Sequence, residues 1–272
     1  MNLYSKRTIK ETLKKYNVKL SKKLGQNFLI DKSAAKKLIQ AADFKKQDIV
    51  LEIGPGIGTL TQEIASEVKK IIAVEKDEKM CQILRETLKD FNNIEIINAD
   101  ILFYKPPTIN YKLISNLPFY LTAVVIRKFL EEKKVPKEMI LIVQKEVGQR
   151  ITSKPPHMNL LAVSVQFYAE SKIIDYISKK SFWPQPEVDA AIIKLSGCAR
   201  GETRKVNPGR FFKIVKAGFS HPRKTILNNF KKELKLEKEE IQEWLAKNNI
   251  NSSQRPESLS LQDWLNLTKT LK

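Results

Sequence analysis

The sequence of 272 residues predicts an α/β fold, in which a parallel sheet is covered by helices on both faces, followed by a small all-helical domain. Strand-like and helix-like segments alternate at short spacing between residues 48 and 144, which is typical of parallel sheets with helical crossovers. Glycine and polar residues stand where the strand-like segments end, and ligands bind at that edge of such sheets. After Thr203 only helical patterns follow.

The sheet is predicted from five short apolar segments that end in glycine, acid or amide residues. These strands cover residues 48–53, 70–75, 94–98, 111–115 and 138–144. Helices are predicted between them where apolar residues recur three or four positions apart, over residues 59–68, 78–88 and 123–130. The short connections between these segments favour one continuous sheet.

The C-terminal part is predicted to contain four helices, over residues 210–219, 225–234, 237–248 and 260–271. A stretch rich in glycine, arginine and polar residues, between Gly197 and Pro208, precedes them. We therefore expect a catalytic domain over residues 1–199, with a basic N-terminal segment, and a helical domain over residues 200–272.

The charge of the chain is concentrated at its two ends. Lys and Arg number 49 against 30 Asp and Glu, a formal net charge of +19. Residues 1–48 carry a net +9 and residues 200–272 a net +8, which leaves +2 for the middle. A solubilising surface usually mixes both signs, so this distribution favours a polyanionic partner, and nucleic acid in particular.

Several classes of protein are excluded by what the sequence lacks. No apolar run approaches the ~20 residues of a membrane span, and the N-terminus lacks the apolar core of a secretory signal. Cys81 and Cys198 form no C-x-x-C pair, and there are two histidines, so we expect no metal site. This cysteine usage predicts a reducing cytoplasm.

A glycine-rich turn follows the first predicted strand, where residues 52–58 read Glu-Ile-Gly-Pro-Gly-Ile-Gly. Such a turn lets a ligand approach the backbone at the start of a helix. Taken alone, it is as consistent with a tight turn that binds nothing. Thr59 stands where the dinucleotide fingerprint has its third glycine, which disfavours NAD.

Two carboxylates follow the next strands. Glu75 comes 21 residues after Gly54, a spacing at which an acid accepts hydrogen bonds from a ribose diol. Asp100 follows the third strand, where it could accept from an adenine amine or, equally, cap a helix or an Asx turn. Together with the glycine turn, Glu75 favours an adenosine-containing ligand.

The fourth strand ends in Asn116-Leu117-Pro118-Phe119. The Asn116 side-chain oxygen and a nearby backbone carbonyl can both accept from a planar amine, while Pro118 fixes the turn. Phe119 offers a face on which a base can stack. The combination is suited to presenting an exocyclic amine to an electrophile, although an ordinary Asn-x-Pro turn with a core Phe is the alternative.

Taken together, these motifs resemble those of the ribosomal RNA adenine dimethyltransferase family, closest to its small-subunit (16S) branch known through kasugamycin resistance. The resemblance covers nearly the whole chain, through residues 23–31, 52–58, 144–147, 182–191, 223–229 and 255–260. The chain departs from the family pattern at Phe119, where tyrosine is usual, and before Lys224, where one of two usual arginines is absent.

The resemblance implies a Rossmann-like S-adenosylmethionine-dependent methyltransferase sheet, with S-adenosylhomocysteine as the product. It implies a cofactor site made of Asn27, Leu29, Gly54, Gly56, Glu75, Lys76, Asp100, Ile101 and Asn116. Catalysis would fall to Asn116, Leu117, Pro118 and Phe119, and the target base would lie against Phe119 and Phe182. RNA would be bound by Lys22, Lys23, Arg223 and Lys224.

The expected activity is transfer of methyl groups to the N6 amines of two adjacent adenines near the 3′ end of small-subunit rRNA. We expect a monomer acting on a 30S precursor, away from membranes. The alternatives are a large-subunit enzyme of the macrolide-resistance group, an RNA-binding factor with a vestigial cofactor site, and an NAD-dependent oxidoreductase. Intact Glu75, Asp100 and Asn116 disfavour the vestigial factor.

Overall fold

The computed structural model describes residues 1–20, 26–197, 203 and 206–271, and for Phe119 it describes the backbone alone. Two compact units make up the chain. The first, the sheet unit, comprises Met1–Gly148 and Lys172–Cys198. The second, the helical unit, comprises Gln149–Ser171 and Ala199–Lys272.

The described part of the chain holds a seven-stranded sheet and a separate two-stranded pair. Their strands are β1 (Phe28–Leu29), β2 (Ile49–Ile53), β3 (Lys70–Glu75), β4 (Ile94–Asn98), β5 (Lys112–Asn116), β6 (Glu138–Gln144), β7 (Glu170–Ile177), β8 (Phe182–Trp183) and β9 (Ala190–Ser196). The larger sheet has the order β4-β3-β2-β5-β6-β9-β7, and β1 pairs antiparallel with β8. The five neighbouring strands β4, β3, β2, β5 and β6 run parallel, as predicted, and β9 runs antiparallel to β6.

The helices that begin in the sheet unit are α1 (Lys6–Lys15), α2 (Lys32–Ala42), α3 (Thr59–Ala65), α4 (Glu78–Thr87), α5 (Thr122–Glu131) and α6 (Lys145–Ile151). Side chains define several of their starts. Asp31 accepts hydrogen bonds from the backbone N–H groups at the start of α2, and Asp77 does the same for α4. The predicted strands and helices of this region are confirmed, with shifts of a few residues at their ends.

The core of the sheet unit explains why its central strands are apolar along their whole length. Helices cover the middle of the sheet, so both faces of β2, β3, β5 and β6 are largely removed from water, whereas β4 is partly exposed. One core cluster joins Val50 of β2, Ile71 of β3, Ile114 of β5 and Ile140 of β6. The strand-like sequence runs therefore lack the polar alternation of a half-exposed sheet.

The strand order brings the predicted site residues to one edge. Strand β2 lies between β3 and β5. The chain adds β3 and β4 on one side of β2 and then crosses to add β5 and β6 on the other side. This reversal of direction opens a crevice beyond the carboxyl end of β2. In the register, Ile53 lies opposite Val74 on one side and Ser115 on the other. Gly54, Glu75 and Asn116 follow these three positions directly, so they meet at this edge.

A group of buried and half-buried ion pairs lies at the opposite edge of the sheet, at the amino ends of the strands. The Lys112 ammonium donates to the carbonyl oxygens of Ala42 and Asp43, both at 2.8 Å. It also lies 3.0 Å from a carboxylate oxygen of Asp48. Glu138 at the start of β6 pairs with Lys194 at 2.7 Å. The charged groups at this edge therefore have partners of opposite charge.

The helical unit is built from α7 (Leu160–Gln166), α8 (Pro208–Gly218), α9 (Ile226–Leu234), α10 (Lys238–Lys247) and α11 (Leu261–Thr270). The last four confirm the predicted C-terminal helices. The grouping of residues 149–171 differs from the expected domain division, which placed them in the first domain. The reason is packing: Phe167 stacks on Phe211 of α8 at 4.2 Å, and α7 shares the aromatic core around Trp264.

No helix in the described ranges is both long and apolar enough to cross a membrane. Over the same residues, no group of three or more His, Cys, Asp or Glu side chains is placed to hold a metal ion.

Candidate active site

A cavity of about 340 Å³ opens at the carboxyl ends of β2, β3 and β5 in the sheet unit. The sequence-predicted residues that line it are Asn27, Leu29, Gly54, Gly56, Glu75, Lys76, Asp100, Ile101, Asn116 and Pro118. They come from five separate stretches of the chain, and the sheet brings them together. The volume and the mixed lining suit a ligand of nucleoside size.

The glycine turn forms one wall of the cavity. Gly54 and Gly56 have φ angles of +63° and +60°, a region that side chains with a Cβ rarely adopt. A Cβ on Gly54 would meet open space, whereas a Cβ on Gly56 would come within 3.2 Å of the Phe28 ring. A ligand can therefore approach the backbone closely at Gly54. At Gly56, both the positive φ angle and the nearby Phe28 ring disfavour any side chain.

Glu75 is held in place by two backbone donors. Its carboxylate accepts from the Asp77 N–H at 2.9 Å and from the Gly56 N–H at 3.3 Å. Burial raises the pKa of Glu75, and these backbone hydrogen bonds partly oppose that rise. Each carboxylate oxygen can accept a further hydrogen bond, so a ribose diol is a chemically suitable ligand for this side chain.

Asp100 forms the Asx turn that was one of the sequence-based alternatives, and it also lines the cavity. One carboxylate oxygen accepts from the Leu102 N–H at 2.9 Å, which is an Asx turn, and the other lies 2.9 Å from the Lys76 ammonium. The Leu102 hydrogen bond and the Lys76 ion pair hold the pKa of Asp100 below its usual range. Because Asp100 also lines the cavity beside buried Ile101, the turn places its carboxylate within reach of a ligand.

Asn116 is oriented by a contact from a distant part of the chain. Its amide nitrogen donates to the Asn27 carbonyl at 2.9 Å, and no described residue donates to its amide oxygen. The neighbouring Pro118 carbonyl already accepts from the Leu121 N–H at 2.9 Å, whereas no described residue donates to the Leu117 carbonyl. The Asn116 oxygen, on a residue that lines the cavity, is thus available for an amine, whereas Leu117 does not line the cavity.

Glu52 also lines the cavity, and the sequence-based site did not include it. Its side chain is 2% exposed, and one carboxylate oxygen has no hydrogen-bond partner within the described structure. Burial raises the pKa of Glu52 to about 7. An acid inside an otherwise apolar strand was the signal in the sequence, because such a group is costly unless a ligand or partner satisfies it.

Tyr120 is a second cavity residue that the sequence reasoning missed. It is more than half exposed and follows Phe119, whose side chain lies outside the described structure. The stacking role of Phe119 therefore stays a prediction. The exposed ring of Tyr120 offers an aromatic surface at the same turn.

Other predicted residues lie away from the cavity lining. Phe182 is 4% exposed and belongs to the core cluster with Leu29, so it presents no face to a target base. Leu117 is buried, and its side chain does not line the cavity. Lys22 and Lys23 fall outside the described residues. Arg223 and Lys224 are exposed in the turn between α8 and α9 of the helical unit.

Comparison with known sequences gives a consistent set of relatives. Residues 17–272 match the family model described as ribosomal RNA adenine dimethylase. A protein of Dehalococcoides mccartyi (strain CBDB1) named ribosomal RNA small subunit methyltransferase A is 40% identical over 263 residues, covering 95% of this chain and 90% of the relative. A protein of the same name from Alkaliphilus oremlandii is 39% identical and covers 96% of this chain and 94% of its own length.

Solved structures show a similar fold. The 23S rRNA methyltransferase ErmE superposes with a TM-score of 0.74 and 24% identity, covering 89% of this chain and 98% of its own. A dimethyladenosine transferase from Plasmodium falciparum gives the same TM-score and identity and covers 87% of this chain and 94% of its own. At this identity the likeness concerns the Rossmann-like fold with its helical C-terminal part.

Proposed function

The chain belongs to the ribosomal RNA adenine dimethylase family, and from that premise we propose that it methylates adenine N6 amines in small-subunit (16S) rRNA. The substrate is two adjacent adenines near the 3′ end, within a 30S precursor, and the product is N6,N6-dimethyladenosine. The enzyme acts as a monomer in the cytoplasm. Support for the small-subunit assignment comes from relatives at 38–40% identity over more than nine-tenths of the chain.

The cavity suits S-adenosylmethionine as the cofactor. The unpartnered, buried oxygen of Glu52 needs a donor or a cation, and this cofactor carries an ammonium group and a sulfonium. Glu75 would hold the ribose hydroxyls and Asp100 the adenine amine, with Ile101 packed against the ring. Asn27, Leu29 and Gly54 would line the methionine part. When bound, the cofactor supplies a methyl group already activated by the positive sulfur.

The observation that carries the proposal is the hydrogen bond from Asn116 to the Asn27 carbonyl. Because it uses the amide N–H, it leaves the amide oxygen of Asn116 to accept from the target amine. The Leu117 carbonyl is a second acceptor at the same turn. Two acceptors on one N6 amine would favour a more tetrahedral nitrogen, whose lone pair is then less conjugated with the ring.

These groups act by positioning and by electrostatics, since the adenine nitrogen is a weak nucleophile and the methyl donor needs no further activation. The Asn116 and Leu117 oxygens hold the amine protons while positive charge develops on nitrogen. The adenine must leave its stack to enter the cavity, and an aromatic face at Phe119 or Tyr120 would offset part of that cost.

The two ends of the chain, with their excess of positive charge, would bind the RNA backbone. Lys22 and Lys23 precede the first cavity residues, and Arg223 and Lys224 are exposed in the helical unit. Phosphate contacts of this kind give affinity that falls steeply with salt. The shape of the RNA, rather than base reading in a duplex, would then select the site.

The test is transfer of labelled methyl from S-adenosylmethionine to immature 30S particles from a strain that lacks the modification. Particles of the 50S subunit and protein-free large-subunit RNA are assayed in parallel. We expect N6,N6-dimethyladenosine in small-subunit RNA. Label confined to large-subunit RNA would assign the chain to the macrolide-resistance activity, and RNA binding without label would reduce it to a binding factor.

A further inference from the structure

A second, shallower groove of about 340 Å³ lies on the sheet unit, and none of its lining residues lines the cofactor cavity. Its walls come from α1 and the following loop, together with β8. The residues that the argument uses are Lys10, Leu13, Lys14, Asn17, Val18 and Trp183. The groove combines lysine ammonium groups, a tryptophan ring and an apolar floor.

The lysines of this groove differ from their neighbours on the same helix. Arg7 of α1 pairs with Glu11 at 2.8 Å, and Lys15 pairs with Glu86 at 2.6 Å. Lys10 and Lys14 are exposed and form no ion pair with a described residue. Their charge is therefore available to an anion from outside the chain.

Trp183 is half-buried and contacts both Phe28 and Lys10. It pairs in register with Phe28 across the β1–β8 ladder, and the two rings stack at 6.4 Å with an interplanar angle of 18°. The Lys10 ammonium lies 5.6 Å from the centre of the Trp183 ring. The indole is half-buried, stacks with Phe28 and has the Lys10 ammonium over its ring, which makes it an aromatic surface combined with a positive charge.

Asn17 adds a group that can recognise a base edge. It is exposed at the end of α1, with its backbone carbonyl accepting from the Lys79 ammonium at 2.8 Å. Its side-chain amide makes no hydrogen bond with a described residue. The NH2 group and the carbonyl oxygen of this amide thus have no described partner beside the apolar floor of Leu13 and Val18.

We propose that this groove binds a single-stranded segment of the RNA substrate outside the target adenines. Lys10 and Lys14 take two backbone phosphates, and an unpaired base lies against Trp183. The inference rests on the proposed function for the identity of the polymer. An acidic peptide would satisfy the lysines, but it would leave the indole and the apolar floor without a flat, stacking partner, which a base supplies.

The experiment uses the full-length protein and its own tryptophan fluorescence, titrated with a short single-stranded oligoadenylate. The chain has three tryptophans, and Trp244 and Trp264 are buried in the helical unit. We expect quenching from Trp183 that disappears in Trp183→Phe, a variant that keeps an aromatic ring against Phe28. Persistent quenching in that variant would overturn the proposal, as would equal quenching by inorganic polyphosphate, which has no bases.

The charge contribution is tested with Lys10→Gln/Lys14→Gln against the matched double variant Lys133→Gln/Lys134→Gln, which removes the same charge from two exposed lysines elsewhere. Losing two phosphate contacts should reduce the slope of log affinity against log salt by ~1.4, since each contact on a single strand contributes ~0.7. Oligoadenylate affinity should fall roughly tenfold more than in the matched variant. Equal losses in both would overturn the proposal.

The methyl-transfer assay on 30S particles separates this inference from the proposed function. We expect the Lys10→Gln/Lys14→Gln protein to show a raised KM for particles and an unchanged kcat, because neither lysine lines the cofactor cavity. If the wild-type protein transfers no methyl group, the proposed function fails whatever the groove binds. If it transfers normally and the double variant keeps the wild-type KM, the groove proposal alone fails.

Discussion

The two ends of the central sheet use charged residues in opposite ways. At the amino ends of the strands, Lys112 is surrounded by two carbonyl oxygens and the Asp48 carboxylate, all within 3.0 Å. At the carboxyl ends, Glu52 has an oxygen without a partner, and the Asn116 and Leu117 oxygens accept from no described residue. Oxygens without a described partner thus occur at the carboxyl ends, where we propose that the cofactor and the target amine bind, although Glu75 and Asp100 at the same end have partners.

The largest effect on stability should come from the amino ends of the strands. Lys112→Met removes the cation of a buried group and leaves Asp48 and Glu138 without it, so we expect the free energy of unfolding to fall by about 3 kcal/mol. Urea denaturation measures this loss. Lys45→Met, which breaks the exposed Lys45–Asp43 pair nearby, serves as the control and should change little. The folded Lys112→Met protein should keep its kcat, and loss of activity without loss of stability would break the comparison.

The largest effect on the reaction should come from Asn116. Asn116→Ala removes an acceptor that acts on the target amine, so kcat should fall roughly 100- to 1,000-fold while cofactor affinity stays near the wild-type value. Single-turnover methyl transfer and calorimetric titration with S-adenosylhomocysteine measure the two quantities. Asn92→Ala, at an exposed asparagine outside the cavity, is the matched control. A parallel loss of cofactor affinity would contradict the role given to Asn116.

A smaller effect is expected at Glu75, and it should appear in binding instead of rate. Glu75→Ala removes the carboxylate that would hold the ribose hydroxyls, so cofactor affinity should fall roughly 10- to 100-fold. At saturating cofactor the rate should recover most of its wild-type value. Glu78→Ala, at an exposed acid three residues further on, should leave affinity unchanged. A rate that stays low at saturation would show that Glu75 acts on the reacting atoms.

A pH dependence of stability is expected from Glu52. Its pKa is raised from 4.5 to about 7 in the folded protein, so the unfolded chain releases this proton first. The ligand-free protein should therefore lose stability as the pH rises from about 4.5 to 7, and Glu52→Gln should abolish that loss. Thermal unfolding of both proteins across this range measures it, and identical curves would contradict the raised pKa.

The same group predicts the pH dependence of binding. A cationic ligand requires the ionised carboxylate, so cofactor affinity should rise by up to roughly tenfold between about pH 6 and pH 8. Calorimetry in buffers of different ionisation enthalpy counts the proton that Glu52 releases. In Glu52→Gln no proton should be released by this group, and the affinity should be flat over the same range.

The sequence predicted the carboxyl end of the sheet better than it predicted the packing around it. Strand ends are visible as changes from apolar to polar residues, and parallel strands bring their ends together, so Gly54, Glu75 and Asn116 were found. The contact from Asn27 to Asn116 joins residues 89 positions apart and has no local signal. The same holds for Phe182, whose place in the core depends on its pairing with Leu29 across the β1–β8 ladder.

Glu52 shows a different limit of prediction from the sequence. The acid was visible in the motif, but its lack of a partner is a property of the folded neighbourhood that no pattern displays. The grouping of residues 149–171 with the helical unit was missed for a related reason. Packing of Phe167 against Phe211 depends on which surfaces meet, and residues 149–171 precede the late strands of the sheet unit in the chain.

The acidic side chains that line the cavity, Glu52, Glu75, Asp77 and Asp100, also bear on turnover. A full reaction requires each adenine to be methylated twice, so the spent cofactor must leave and a fresh one must enter between rounds. Methyl transfer removes the positive charge from sulfur. A cavity lined by several acidic side chains should therefore attract the charged donor more strongly than its neutral-sulfur product. The negative charge of the cavity lining thus favours the cationic methyl donor over the product that has lost its methyl group. Replacement of product by donor between the two methyl transfers is therefore favoured.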